Sequence, residues 1–190
     1  MRVGILGGSF NPAHAGHRHV AELARRRLRL DQVWLLVSPG NVLKPSDGMG
    51  DFRDRLASAR VIADGRRIVA TAIEAVLGTR YSIDTLRRLQ RIFPRVEFVW
   101  VMGADILEQL PRWGRWREFV HCAPFVVLPR PSYTHPALAG KAARSLRAAR
   151  LPARAAPALA RGKPPAWIFL PSSQHQASAS AIRAGKGAVP

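Results

Sequence analysis

Apolar residues gather along this chain in short uninterrupted runs, and between the runs they recur every three or four positions. Short runs bounded by turn residues predict strands buried on both faces, and the longer spacing predicts amphipathic helices packed on them. The first run is Val-Gly-Ile-Leu at residues 3–6. A helix is expected over 18–30, where Val20, Leu23, Ala24, Arg27 and Leu28 share one side. Residues 32–37 predict a second strand, followed by a loop over 38–45 full of turn residues. A helix over 51–63 places Phe52, Leu56, Ala59 and Ile62 on one side, and a third strand is expected over 67–73.

After a break at Gly78-Thr79-Arg80, a helix opens at Tyr81 and ends near Phe93-Pro94, with Ser82 as the expected N-cap. Residues 96–102 form the strongest strand signal, and Gly103-Ala104-Asp105 turns into a helix through Leu110. Trp113, Trp116 and Phe119 lie at helical spacing, and core packing accounts for at least one of them. A strand over 124–128 is closed by Pro129-Arg130-Pro131. Residues 138–159 read as helical, broken at Pro152 and Pro157, before a last strand over 166–170 and a helix opening at Ser178. Strands alternating with helices predict an α/β fold with a doubly wound parallel sheet, in one domain over 1–190. Ligands of such sheets bind beyond the carboxyl ends of the strands. Asn41, the Gly103–Asp105 turn, Arg130 and Ser178 each follow a strand, so they are expected to converge on one cleft.

Composition narrows this picture. With 190 residues, 47% of them apolar, the chain can bury a sizeable core. It contains no apolar run of membrane-spanning length and no leader layout at its start, which argues against a membrane partner. The single cysteine, Cys122, excludes an internal disulfide and fits a reducing cytoplasm. The formal charge of +18 raises the question of a nucleic-acid partner. The basic residues are scattered over many elements without an aromatic-interleaved motif, so a solvated, arginine-rich surface is the better reading.

The chemistry concentrates behind the first strand, in Gly7-Gly8-Ser9-Phe10-Asn11-Pro12-Ala13-His14-Ala15-Gly16-His17. The glycines allow a sharp turn and close approach to a ligand, and Pro12 sets the turn. His14 and His17 fall in the first turn of a helix, whose exposed amides and positive dipole end favour phosphate. A zinc reading of His14 and His17 lacks plausible partner ligands nearby. Two imidazoles beside a phosphate cradle suggest chemistry on a nucleoside triphosphate.

Residues 8–17 resemble the G-[ST]-F-x-P-x-H-x-G-H box of the nucleotidyltransferase superfamily, in a form similar to that of the bacterial nicotinate-nucleotide adenylyltransferases. Further stretches carry the same resemblance. Ser178 to Arg183 resembles the second box, I-S-[SA]-T-x-[IL]-R, with Ala177 for isoleucine and Ser180 for threonine. Tyr81 to Leu86 resembles the segment that meets the mononucleotide, Gly103 to Asp105 the G-x-D turn, Pro111 to Trp113 the tryptophan stretch, and Arg130-Pro131-Ser132-Tyr133 the R-P-G-Y turn. Ile106 stands where relatives carry a polar residue, and relatives usually continue past Val189-Pro190 with a last helical segment.

The resemblance implies a Rossmann-like nucleotidyltransferase fold and transfer of the adenylyl group of ATP to nicotinate mononucleotide. The products are deamido-NAD, in NAD biosynthesis, and pyrophosphate. It implies His14 and His17 as catalytic, and an ATP site of Gly7, Gly8, Ser9, Phe10, His14, His17, Gly103, Asp105, Ser178 and Arg183. The mononucleotide would meet Asn41, Lys44, Tyr81, Ser82, Thr85, Trp113 and Arg130. Mg²⁺ would arrive mainly on the ATP phosphates, with no dedicated protein metal site. A pantetheine-phosphate adenylyltransferase and a non-catalytic RNA-binding module on the same fold are the alternatives. Tyr81 to Leu86 and Trp113 argue against the first, and the intact His14 and His17 against the second. Monomer and homodimer both stay open.

Overall fold

The computed structural model describes residues 1–40 and 48–172. Asn41, Lys44, Ser178, Arg183 and the helix expected from Ser178 therefore lie outside the described residues. Among the described residues seven parallel strands make one sheet: β1 (Arg2–Gly8), β2 (Gln32–Val37), β3 (Ile68–Thr71), β4 (Glu97–Gly103), β5 (Phe125–Leu128), β6 (Arg150–Leu151) and β7 (Trp167–Phe169). Their order is β3-β2-β1-β4-β5-β7-β6, and every pairing is parallel. The chain builds outward from β1 to β3, then returns to lay β4 on the other side of β1. The switch point thus lies between β1 and β4, where a ligand crevice is expected at the carboxyl ends.

The continuous apolar runs divide by alternation between two cores. Phe98, Trp100 and Met102 of β4 enter one core and Val99 and Val101 the other. Helices α1 (Ala15–Arg27) and α2 (Phe52–Ile62) cover the face of Val99. Helices α4 (Ser82–Ile92), α5 (Ala104–Gln109) and α6 (Trp116–Val120) cover the face of Trp100. In α1, Ala21 and Ala24 are buried, whereas Arg27 stands in solvent and the basic last turn faces the negative dipole end.

Several expectations are corrected. Ile73, read as the end of a strand, instead opens the short helix α3 (Ile73–Leu77) after β3 closes at Thr71. Tyr81, not Ser82, is the N-cap of α4, and Ser82 is the first helical residue. Trp113 does not share a helix with Trp116 and Phe119; it ends a 3₁₀ turn over Leu110–Arg112, and α6 begins only at Trp116. Residues 138–159 split into α7 (Thr134–Ala139), α8 (Lys141–Ser145), two 3₁₀ segments and the edge strand β6. Alanine favours helix locally, but Gly140 and Pro152 interrupt it, whereas the break expected at Pro157 is not seen, since the 3₁₀ segment Ala153–Arg161 runs through that residue. Arg150 instead lies over the Trp167 ring, 5.2 Å from its centroid.

Candidate active site

The turn after β1 is shaped by reciprocal capping. His14 is the N-cap of α1, extended at φ −152°, and its Nδ1 accepts the Gly16 amide at 3.1 Å. The His14 amide in turn donates to Nδ1 of His17 at 3.2 Å. This is the capping-box arrangement built from two imidazoles in place of a hydroxyl and a carboxamide. A nitrogen that accepts carries no hydrogen, so both neutral rings hold theirs on Nε2. The ring centroids stand 3.9 Å apart, and Phe10 lies 4.9 Å from His17 on the other side. His14 is buried and His17 half-buried. Phe10 is buried with φ +47°, a left-handed conformation rare for a bulky residue. Its ring fills the space beside Gly8, so it supports the turn from below.

Helix α2 holds this turn from the side. Arg55, almost fully buried, donates from Nη1 to Ser9 O and Ser38 O, each at 2.7 Å. Its Nη2 reaches Pro39 O at 3.1 Å and its Nε reaches Gly50 O at 2.9 Å. Burial pushes this guanidinium down from its ordinary value, and the charge of Asp51 partly restores it. Ser58 Oγ accepts the Ala13 amide at 3.0 Å. Asn11 donates from Nδ2 to Gly48 O at 2.8 Å and accepts the Gly50 amide at 3.1 Å.

On the opposite side of the crevice, a buried polar chain underlies the start of α4. Thr85 Oγ1 donates to Glu74 Oε1 at 3.0 Å and lies 2.7 Å from Thr79 Oγ1. Burial raises the Glu74 carboxyl above the usual range, against the opposing hydrogen bonds of Thr85 and Ser38. The Thr85 side chain is therefore spent inside the protein. The amides of Asp84 and Thr85 both return to Tyr81 O, which leaves the first-turn amides of Ser82 and Ile83 as the candidate ligand donors. Asp84 turns outward to Arg115 at 2.8 Å. Arg115 also clasps Glu118, whose carboxyl it holds down to about 2 with the help of Arg87.

Aromatic packing ties the two sides together. The Trp100 indole lies directly under Gly7, where an added Cβ would come within 2.9 Å of Cζ2. The same indole meets Trp113 edge-on at 6.4 Å and Phe119 at 5.1 Å. Only Phe119 of the expected trio is fully in the core; Trp113 and Trp116 are half-buried. The exposed Tyr81 ring rests against Gly114, next to Trp113. At the ends of β4 and β5, Asp105 Oδ1 and Arg130 Nε are 3.6 Å apart. Asp105 folds back over Gly103, where an added Cβ would stand 2.3 Å from Oδ1, so any larger residue there would push the Asp105 carboxylate aside. Ile106 packs against the core below. Ser132, in the place of the family's glycine, adopts φ +65°.

The turn at Gly7–His17, the Gly103–Asp105 turn and Arg130 thus border the carboxyl end of the sheet, and Tyr81 and Trp113 flank one side. Arg55, Ser58 and Glu74 were missed from sequence. Arg55 left a signal: it is a charged residue three positions after Phe52, inside the apolar stripe of α2. Glu74 left none, since its neighbour Val76 is exposed while the carboxylate is buried. Among the described residues no helix is long and apolar enough to cross a membrane.

Comparison with known proteins shows the family and the fold. The model of the cytidylyltransferase-like family matches residues 5–185. A probable nicotinate-nucleotide adenylyltransferase of Gluconobacter oxydans is 59% identical, covering 96% of this chain and 94% of the relative. Its counterpart from Gluconacetobacter diazotrophicus is 56% identical, covering 96% and 85%. A Plasmodium falciparum nicotinic acid mononucleotide adenylyltransferase complexed with NaAD shares the fold with a TM-score of 0.71 at 16% identity, over 96% of this chain and 82% of that one.

Proposed function

From the premise that this chain belongs to the nicotinate-nucleotide adenylyltransferases, within the cytidylyltransferase-like family, we propose how its residues carry out that reaction. The 5′-phosphate of nicotinate mononucleotide attacks the α-phosphorus of ATP in line. A new P–O bond forms, the bond to the β-phosphate oxygen breaks, and pyrophosphate leaves with the electron pair. Mg²⁺ would come in with ATP, held by its phosphates rather than by side chains of this chain, and would supply charge neutralisation on the group being transferred. The nucleophile is already an anion, so catalysis rests on positioning and on donors aimed at developing charge.

One observation carries the assignment of roles: both imidazoles accept a backbone amide at Nδ1, which in a neutral ring puts the hydrogen on Nε2. His14 donates to the α-phosphoryl oxygens as charge builds there, and His17 with the Gly8-Ser9 turn holds the triphosphate. Gly103 and Asp105 meet the ribose and base, and Gly7 belongs to the ATP turn through its backbone, seated on the Trp100 indole. Tyr81, the first-turn amide of Ser82 and Arg130 border the mononucleotide, with Trp113 stacking on its ring. Thr85 acts from behind, fixing the start of α4 through Glu74. Asn41, Lys44, Ser178 and Arg183 complete the two sites, the last two on the leaving pyrophosphate.

The test is a panel of nicotinate mononucleotide, nicotinamide mononucleotide and phosphopantetheine, each with MgATP, read by pyrophosphate release. Fastest turnover of the nicotinate compound is expected. Turnover of phosphopantetheine alone would overturn the substrate, and no turnover of any would overturn the chemistry.

A further inference from the structure

Resting on the adenylyl-transfer reading, we propose that Arg55 is a positioning residue for the reaction, one that sets the Gly8-Ser9-Phe10 turn against the end of β2 and so aims the groups that hold the triphosphate. An arginine is an unexpected occupant here. It sits within the apolar stripe of α2, between Phe52 and Ala59, where an aliphatic side chain would satisfy the helix pattern. A buried cation is costly unless its surroundings repay the lost hydration. The four hydrogen bonds it makes among the described residues all go to backbone carbonyl oxygens. They come from three separate stretches of chain: Ser9, Ser38-Pro39 and Gly50.

The geometry shows what this clasp controls. One nitrogen, Nη1, joins the turn after β1 to the turn after β2, with both oxygens at 2.7 Å. The Ser38 amide closes the same link by donating to Gly8 O at 3.0 Å. The Ser9 peptide plane is thereby fixed immediately before Phe10, whose φ of +47° persists only where the surroundings over-determine it. One turn further along α2, Ser58 Oγ accepts the Ala13 amide, directly before His14. Helix α2 thus grips the turn on both sides of the strained residue. The planar guanidinium reaches four oxygens from fixed directions, which a lysine ammonium cannot reproduce.

The experiment uses the full chain with Arg55→Lys and Arg55→Ala. Steady-state kinetics with MgATP and nicotinate mononucleotide are combined with calorimetry of Mg²⁺-α,β-methylene ATP and with thermal melts. For Arg55→Lys, kcat is expected to fall about a hundredfold, the order that a misplacement of about 1 Å costs. The analogue is expected to bind several-fold more weakly while the protein stays folded at the assay temperature. Methylguanidinium at tens of millimolar should recover kcat in Arg55→Ala, and methylammonium at equal ionic strength should not. A purely stabilising brace would lower the melting temperature without this kinetic loss and without selective rescue.

A folded Arg55→Lys with kcat and analogue affinity within twofold of the parent overturns the proposal. If Arg55→Ala does not fold, the lysine variant alone decides. A parent that fails to turn over nicotinate mononucleotide sinks the adenylyl-transfer reading, and the analogue affinity of Arg55→Lys still decides the role of Arg55.

Discussion

His14 has a capping role on one atom and a proposed catalytic role on another, and a pair of substitutions separates them. Its Nδ1 caps α1 by accepting the Gly16 amide, and its Nε2–H is the proposed donor to the α-phosphoryl group. Asparagine places a carbonyl oxygen where Nδ1 stands, so His14→Asn keeps the cap and loses the Nε2 donor. His14→Ala loses both. Loss of a side-chain cap costs about 1 kcal/mol. For a chain of 190 residues that lowers the melting temperature by about 2–4 °C. Loss of one donor aimed at transition-state charge costs about a hundredfold or more in kcat. Both variants should therefore lose turnover by a similar factor, while only His14→Ala melts measurably lower. Differential scanning calorimetry and pyrophosphate-release kinetics read the two quantities independently. A His14→Asn enzyme with kcat within threefold of the parent would refute the donor role. A His14→Asn protein melting as low as His14→Ala would refute the capping role of Nδ1.

Three further predictions follow from the packing and the polar network. Glu74→Gln should be no less stable than the parent at pH 8, because burial raises the Glu74 carboxyl in the folded state. The folded parent binds that proton before the unfolded chain does, so its stability relative to Glu74→Gln should rise as pH falls through the window above the ordinary glutamate value of about 4.3; a pH-independent difference in melting temperature would contradict this. Gly7→Ala presses a methyl into the Trp100 indole, itself wedged against Phe119, and should cost about 1–3 kcal/mol with a loss of activity; an unchanged melt would show that the indole yields freely. Nicotinate mononucleotide should exceed nicotinamide mononucleotide in kcat/KM by about tenfold or more, because a site offering amide donors leaves the carboxamide mismatched; a ratio near one would count against amide donors at the ring.

The order of strands and helices was legible because burial on both faces writes itself as uninterrupted apolar runs, as in Gln32–Val37 and Glu97–Gly103. The candidate site at the first turn was equally legible. Glycine, proline and histidine at fixed spacing between a strand and a helix leave few other uses for those residue types. Local pattern misled where tertiary contact outweighed propensity: residues 150–151 pair as an edge strand on β7 despite alanine-rich surroundings. Trp113 is held by Trp100 and Phe119 rather than by helical phase. What only the tertiary structure decided is which polar groups meet. Arg55 finds the carbonyls of Ser9 and Ser38 from 46 and 17 positions away. Glu74 finds Thr85 across the gap between α3 and α4. Hydropathy periodicity reports only which side of an element is turned from water. The partner of a buried charge is set by how separate elements pack, and that information is spread over the whole sheet rather than over any one stretch of chain.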